Sequence, residues 1–457
     1  MKKIFIVILL ITTTLFSDSL DNLLKEYENT TENSLKTVDE KLGHVLIYSQ
    51  KEIRMMQYSK LSDILKELPL VNLNTNRFGL SSPSLAGSKT TTSGFFRFFI
   101  NDHEISSPHT KSASLSWGDL PLDFIDHVEI YYGESSFTQG NETGIYFIRL
   151  YTKSAAKENG GELKATMSDR GDNSQSITTS QVFQNGWSYL LFLRNEKSNT
   201  TVDYSNQTLQ NNGDRKNLYL DISNENTNIN LGYSHVKKDT YMGLSLDVAP
   251  DDSTLESEDF FIDISRYLLA DKSLKASFSV DVTSRKMEEK NAQGIGLTPV
   301  IDLANIGITL PKEFVEDIKF TKLNAYISKS FQFESNHLLT AFNVKNLKYT
   351  TKNIETVNFI NQENNVAQYN DFDEESVYSF LFQDDYKVHE NLILLANAKV
   401  DKYVRSGYLE DSTEKLFRLG AIYTPFKNFG LKSFYTKTYL PVSFYNTDFV
   451  DKNNRTL

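Results

Sequence analysis

Three polar stretches, 74–80, 87–94 and 103–118, gather the side chains best suited to binding chemistry. The first carries Arg77 and Phe78, the second Lys89, and the third His103, His109, Lys111 and Trp117. Guanidinium and ammonium groups make charge-assisted hydrogen bonds to acidic oxygens. Phe78 and Trp117 add flat apolar faces on which a planar ligand can rest. His103 and His109 are imidazoles of the kind that ligate copper, nickel or haem iron. Six residues apart on a loop is not a recognised ligand spacing, however, and no carboxylate–histidine motif joins them, so no metal site is expected. Serines, histidines and acidic residues are present but form no recognisable catalytic set, which points away from an enzyme and calls for no cofactor. For each candidate the alternative is a solvated loop residue or an internal packing contact. Tyr131, Tyr132 and Tyr151 read as packing residues.

The elements that hold these stretches form a small α+β unit. Val45–Tyr48 reads as a strand. Leu61, Ile64, Leu65 and Leu68 follow at helical spacing, giving one apolar face. Pro69 should stop that helix, because proline disfavours helical geometry in the residue before it. Phe95–Ile100, Val128–Tyr132 and Ile145–Tyr151 read as further strands, separated by turn formers at Asn101-Asp102, Gly133 and Gln139-Gly140-Asn141. The unit spans 44–153. Ahead of it, 20–43 reads as a polar helical segment. Residues 1–19 have the basic start, apolar core and small-residue exit of a secretory signal peptide.

From residue 160 the texture changes to period-two alternation. Leu274, Ala276, Phe278, Val280 and Val282 alternate with Lys275, Ser277, Ser279, Asp281 and Thr283. The same pattern recurs at 228–234, 323–328 and 396–401. Such strands place one apolar and one polar face toward two different surroundings. Short turns at 184–186, 224–226, 270–272, 334–336 and 389–391 mostly alternate with long connections at 197–214, 237–257, 289–315 and 351–373. Brief outer connections remain at 170–173 and 405–414. A soluble sandwich has no reason to sort its loops by side, whereas a transmembrane barrel does. About thirteen strands are counted this way.

Composition agrees. The 457 residues carry 59 acidic against 48 basic side chains and a formal charge of -11, which disfavours a nucleic-acid partner. There is no cysteine, hence no disulfide scaffold and no thiolate metal site. No stretch after residue 20 is long and apolar enough for a membrane helix.

In order and spacing these features resemble the TonB-dependent outer-membrane receptors. Leu65-Lys66-Glu67-Leu68-Pro69 resembles the family's plug helix stopped by proline. Phe99-Ile100-Asn101-Asp102 sits where the family has a strand ending in Asp-Gly. Leu122 to Ile130, with Glu129 and then Gly133, is similar to the family's Glu-to-Gly strand. Gln139-Gly140 and Gly144 lead into a closing strand at 147–153. Phe382–Asp401, Tyr423-Thr424-Pro425 and Thr438–Pro441 resemble the family's later barrel strands. Ala86-Gly87, Asp102 and Glu134 depart from the usual residues, and no TonB box is evident before His44.

The resemblance implies a mainly β protein: an α+β plug at 44–153, then antiparallel transmembrane strands at 160–457, about thirteen of the ~22 that hold a plug. It implies a receptor in the outer membrane of a Gram-negative bacterium, surrounded by outer-membrane lipid. The receptor would take up a scarce ligand, a ferric siderophore or similar iron chelate, with power from the TonB complex of the inner membrane. The three polar stretches become outward plug loops. The strand count and the polar residues 454–457 suggest a shortened barrel, so a non-transporting fragment or a ligand-binding adhesion protein is the alternative.

Overall fold

The computed structural model describes residues 44–76, 78–86, 88–89, 94–133, 144–169, 171–199, 201–204, 207–240, 253–290, 311–358, 364–366, 372–426 and 429–448. The signal peptide, the segment 20–43, Arg77 and Gly140 lie outside them, as does the side chain of Lys89.

The first unit runs β1 (His44–Tyr48), α1 (Gln50–Met55), α2 (Leu61–Leu65), β2 (Val71–Thr75), β3 (Ser81–Leu85), β4 (Ser88–Lys89), β5 (Phe96–Ile100), β6 (His103–Glu104), α3 (Ser114–Trp117), β7 (Ile125–Tyr132), β8 (Tyr146–Thr152) and α4 (Ala155–Glu158). Five strands form one sheet in the order β1-β7-β8-β5-β6, with β5 and β8 parallel and the other pairs antiparallel. Leu61, Ile64 and Leu65 of α2 are buried with Phe98, Val128, Ile130, Ile148 and Leu150 on one face of that sheet. Helix α2 is shorter than its apolar spacing suggests. It ends at Leu65, Leu68 is buried in the turn beyond it, and Leu70 takes a left-handed φ of 65°.

The second unit is a large antiparallel sheet. Its first strands are β9 (Gly160–Met167), β10 (Asn173–Val182) and β11 (Ser188–Ser198). A separate hairpin, β12 (Thr201–Tyr204) with β13 (Gln207–Gln210), lies within the 197–214 connection. The wall continues through β14 (Gly213–Ser223), β15 (Thr227–Asp239), β16 (Thr254–Tyr267), β17 (Leu274–Glu289), β18 (Pro311–Gln332) and β19 (Asn336–Asn358). A short β20 (Asn364–Val366) pairs with β19. Then come β21 (Glu374–His389), β22 (Leu392–Arg405), β23 (Ser412–Phe426), β24 (Phe429–Lys437) and a terminal helix α5 (Phe444–Asp448). Thirteen strands pair in chain order from β9 to β24, each with its sequence neighbour once the hairpin and β20 are set aside. The five short turns fall where the sequence puts them. The 351–373 connection differs from expectation: β19 runs on to Asn358 and pairs with β20, so part of it is strand.

The two faces of the wall differ as the alternation requires. Ile327, Phe342, Phe380 and Val400 lie in one cross-strand row, and each exposes about half of its surface on the outside. One residue along, Asn343, Ser379 and Asp401 form the inward row, and all are buried. An apolar exterior with a polar interior is the arrangement of a barrel in lipid. Among the described residues no helix is long and apolar enough to cross a membrane.

Candidate ligand site between plug and wall

The third candidate stretch sits against the inner face of the wall. His103 is 5% exposed, and its Nε2 lies 2.7 Å from Asp281 of β17. Its ring stacks on Phe261 of β16 at 4.2 Å, and its Nδ1 is 3.8 Å from Asp263. Burial alone would lower the imidazole's pKa, but Asp281 and Asp263 together raise it above the ordinary value. Lys322 of β18 joins the cluster, 3.2 Å from Asp281, and donates to the Glu104 carbonyl at 2.9 Å. Arg97, itself buried, reaches Glu104 at 3.3 Å, and Lys345 of β19 approaches the same carboxylate at 3.8 Å. Gly232 of β15 makes room for this stack, since a Cβ there would come within 2.1 Å of the Phe261 ring.

Trp117 is also buried, 6.0 Å from the same Phe261 ring. Its neighbour Ser116 is pinned from three strands. Arg215 of β14 and Ser234 of β15 donate to its carbonyl at 2.9 and 2.7 Å, and its hydroxyl bonds Ser257 of β16 at 2.8 Å. Farther along the loop, His109 packs beside Phe320 and Tyr349, and Lys111 lies 3.8 Å from Glu375 of β21. Glu375 in turn accepts from Arg405 at 2.8 Å. His103, His109, Lys111 and Trp117 therefore make internal contacts between plug and wall, and two of them, His103 and Lys111, enter ion pairs. The internal packing contact named as the alternative is the one these four side chains make, against the polar inner wall. Phe78 is half-buried and packs with Leu80, Leu255, Phe314 and Ile318.

The plug-motif residues hold the unit together. Leu68 is buried, and the Pro69 carbonyl accepts from Tyr146 at 3.3 Å. Asn101 adopts a φ of 52°; its amide donates to Tyr219 of β14 at 2.9 Å while its carbonyl oxygen accepts from the Thr152 N–H at 3.0 Å. Asp102 pairs with Lys275 of β17 at 2.9 Å, and that cation holds its carboxyl below the usual range. Glu129 is fully buried, accepts from Tyr131 at 2.5 Å and faces His127 at 3.4 Å. Gly133 has a φ of 84°, a conformation that side chains disfavour. Gly144 lies against the Arg97 stem, 2.7 Å from where its Cβ would stand.

Further ion pairs ring the plug. Asp123 meets Lys164 of β9 at 2.7 Å and Arg194 of β11 at 2.8 Å, and Lys60 meets Glu196 of β11 at 2.8 Å. A folded unit is thus seated against the inner face of a wall of thirteen strands. Residues 37–144 match the family model described as TonB-dependent Receptor Plug Domain. The chain carries the plug domain of the TonB-dependent receptors. No curated protein sequence matches it.

Solved structures share the fold at low identity. The ferric-catecholate import receptor Fiu from E. coli K12, in its open form, superposes with a TM-score of 0.61 at 13% identity, over 88% of this chain and 71% of that one. The ferripyoverdine receptor of the outer membrane of Pseudomonas aeruginosa gives 0.62 at 12%, over 88% and 57%. The ferric citrate transporter FecA gives 0.65 at 10%, over 91% and 66%. The chain thus spans between just over half and about seven-tenths of the length of these structures.

Sequence reasoning missed the wall partners: Phe261, Asp263, Asp281, Lys322, Lys345 and Glu375. Alternation marks them as inward-facing, but only the folded register says which plug residue each one meets.

Proposed function

We propose that this chain is an outer-membrane receptor for energised uptake of a scarce ligand, an iron chelate being the class its fold relatives favour. The observation that carries the reading is the plug itself, seated by ion pairs on strands β9, β11, β17, β19 and β21. A passive pore has no use for a folded domain across its lumen. Residues 1–19 act as the secretory leader, and the outward apolar rows contact outer-membrane lipid. The TonB complex of the inner membrane supplies the force that rearranges the plug. Ligand contact begins at the first two polar stretches, through Arg77, Phe78 and Lys89, because the third is covered by wall contacts.

Binding of the purified protein to a panel of ferric chelates and haem tests this reading. One chelate should bind, and Arg77→Ala should weaken it by ~1.5–3 kcal/mol, the value of a hydrogen bond to a charged group. Failure of every member of the panel to bind would contradict the ligand class. Unchanged affinity in Arg77→Ala would remove that residue from the site.

A further inference from the structure

Two neighbouring wall strands carry a group of metal-ligating side chains on the face turned away from the plug. In β15, Ser234 and Val236 are buried and Ser234 donates to the Ser116 carbonyl of the plug loop, so Tyr233, His235 and Lys237 point outward. In β16, Ser257 bonds the Ser116 hydroxyl, which turns Glu256 and Glu258 outward as well. The register sets His235 directly beside Glu258, and Lys237 beside Glu256. His235 Nε2 lies 2.9 Å from Glu256, and the Tyr233 hydroxyl donates to Glu258 at 3.1 Å. One donor atom from each of His235, Glu256 and Glu258 lies within 4.8 Å of the other two. Toward the 224–226 turn the next outward pairs are apolar, Tyr233 with Phe260 and Leu231 with Ile262. The group therefore stands where the outer apolar band ends, on the side of the long connections.

We propose that His235, Glu256 and Glu258 form a site for a divalent transition cation of the Zn2+ type, which clamps β15 to β16 at the rim of the wall. One imidazole and two carboxylates are a ligand set such ions take, with bonds of about 2.0–2.2 Å, so ligands sharing one ion lie within about 4.4 Å of each other. Donors already within 4.8 Å need only small side-chain rotations to meet that limit. The charges leave room for an ion. Glu256 has Lys237 at 3.9 Å and Lys286 opposite it on β17, whereas no lysine or arginine pairs with Glu258 among the described residues. His235 Nδ1 is buried and meets no hydrogen-bond partner among the described residues, so neither tautomer of the ring is locked against coordination. Three protein ligands leave a fourth position for water, on the side away from the wall. Mg2+ and Ca2+ take oxygen ligands and would gain nothing from the imidazole. The site is on the opposite face of the wall from the plug, so the proposal does not depend on what the receptor takes up.

The chain has no cysteine, so no thiolate competes for the ion. The untagged full-length chain in detergent, stripped of metal with a chelator and dialysed, is titrated calorimetrically with Zn2+. One ion per chain should bind, and a hundredfold excess of Mg2+ should not displace it. His235→Ala and Glu258→Gln should each weaken binding at least tenfold. His337→Ala, which removes an imidazole beside a single carboxylate, Asp385 at 3.9 Å, should bind as the unchanged chain does. Zn2+ should raise the melting temperature of the unchanged chain and of His337→Ala, but not of His235→Ala, because an ion bound only by the folded chain stabilises it. Absence of Zn2+ binding, or equal affinity in every variant, would overturn the site. An equal loss in His337→Ala would also overturn it, since the binding would then not belong to these three residues. Displacement by Mg2+ would overturn the cation class, and binding without a rise in melting temperature would overturn the clamp.

Discussion

Asn101 joins the two units through one side chain, bonding Thr152 of the plug and Tyr219 of the wall from a left-handed backbone. Two substitutions separate those contributions. Asn101→Gly loses the hydrogen bonds but keeps the conformation, and should cost ~1–3 kcal/mol. Asn101→Ala should cost ~1–2 kcal/mol more, because a Cβ is crowded at positive φ. Urea unfolding of the two variants in detergent measures the difference, and equal midpoints would contradict the backbone argument. His127 makes a pH prediction. Burial opposes its charged form, yet bonds to Asp126 and Glu129 outweigh this and raise its pKa to about 9. The stabilisation is fully present below the ordinary value of ~6.5 and is lost as pH rises through about 9. His103 is shifted the same way. The melting temperature should therefore fall between pH 6.5 and 9, and His127→Gln should flatten that fall; an unaltered slope would remove His127 from the account. The chemistry of the candidate residues was legible in the sequence. Their neighbours were not, because His103 and Asp281, or Lys111 and Glu375, meet only through the folded register.

At the scale of elements, the wall strands were readable because two different surroundings impose alternation on every one of them. The plug's small pieces were not. Helices α1, α3 and α4 are only four to six residues long, and β2 to β4 form a separate three-stranded sheet of two to five residues per strand. Helix α2 has the expected apolar face but stops short of its last apolar residue, because packing Leu68 against the sheet outweighs continuing the helix. The same logic of faces gives a direct test. Phe380 faces outward in an apolar row, and its neighbour Ser379 faces the buried polar interior. Phe380→Arg should cost ~2–4 kcal/mol if that row lies near the bilayer midplane. Refolding into lipid vesicles measures it, and an arginine tolerated there without loss would deny that the row meets lipid.

Within the wall, strand order follows chain order, so each strand needs only its predecessor to pair, whereas the plug sheet, in the order β1-β7-β8-β5-β6, is built from non-local pairings. The plug is what the sequence announced least locally and most globally. No one plug motif is specific, but residues 37–144 match the plug family as a unit. The polar inner wall and the charged plug are complementary, and their ion pairs fix the plug in one seat. Under the proposed function, a domain held in this way blocks free diffusion, so that passage requires work. The direct test is accumulation of the bound ferric chelate by cells producing the chain, measured with the proton gradient intact and after a protonophore. Accumulation that depends on the chain and collapses with the gradient is the result expected of an energised plug receptor. Accumulation that is equal with and without the gradient, or that persists when residues 44–153 are removed, would contradict it.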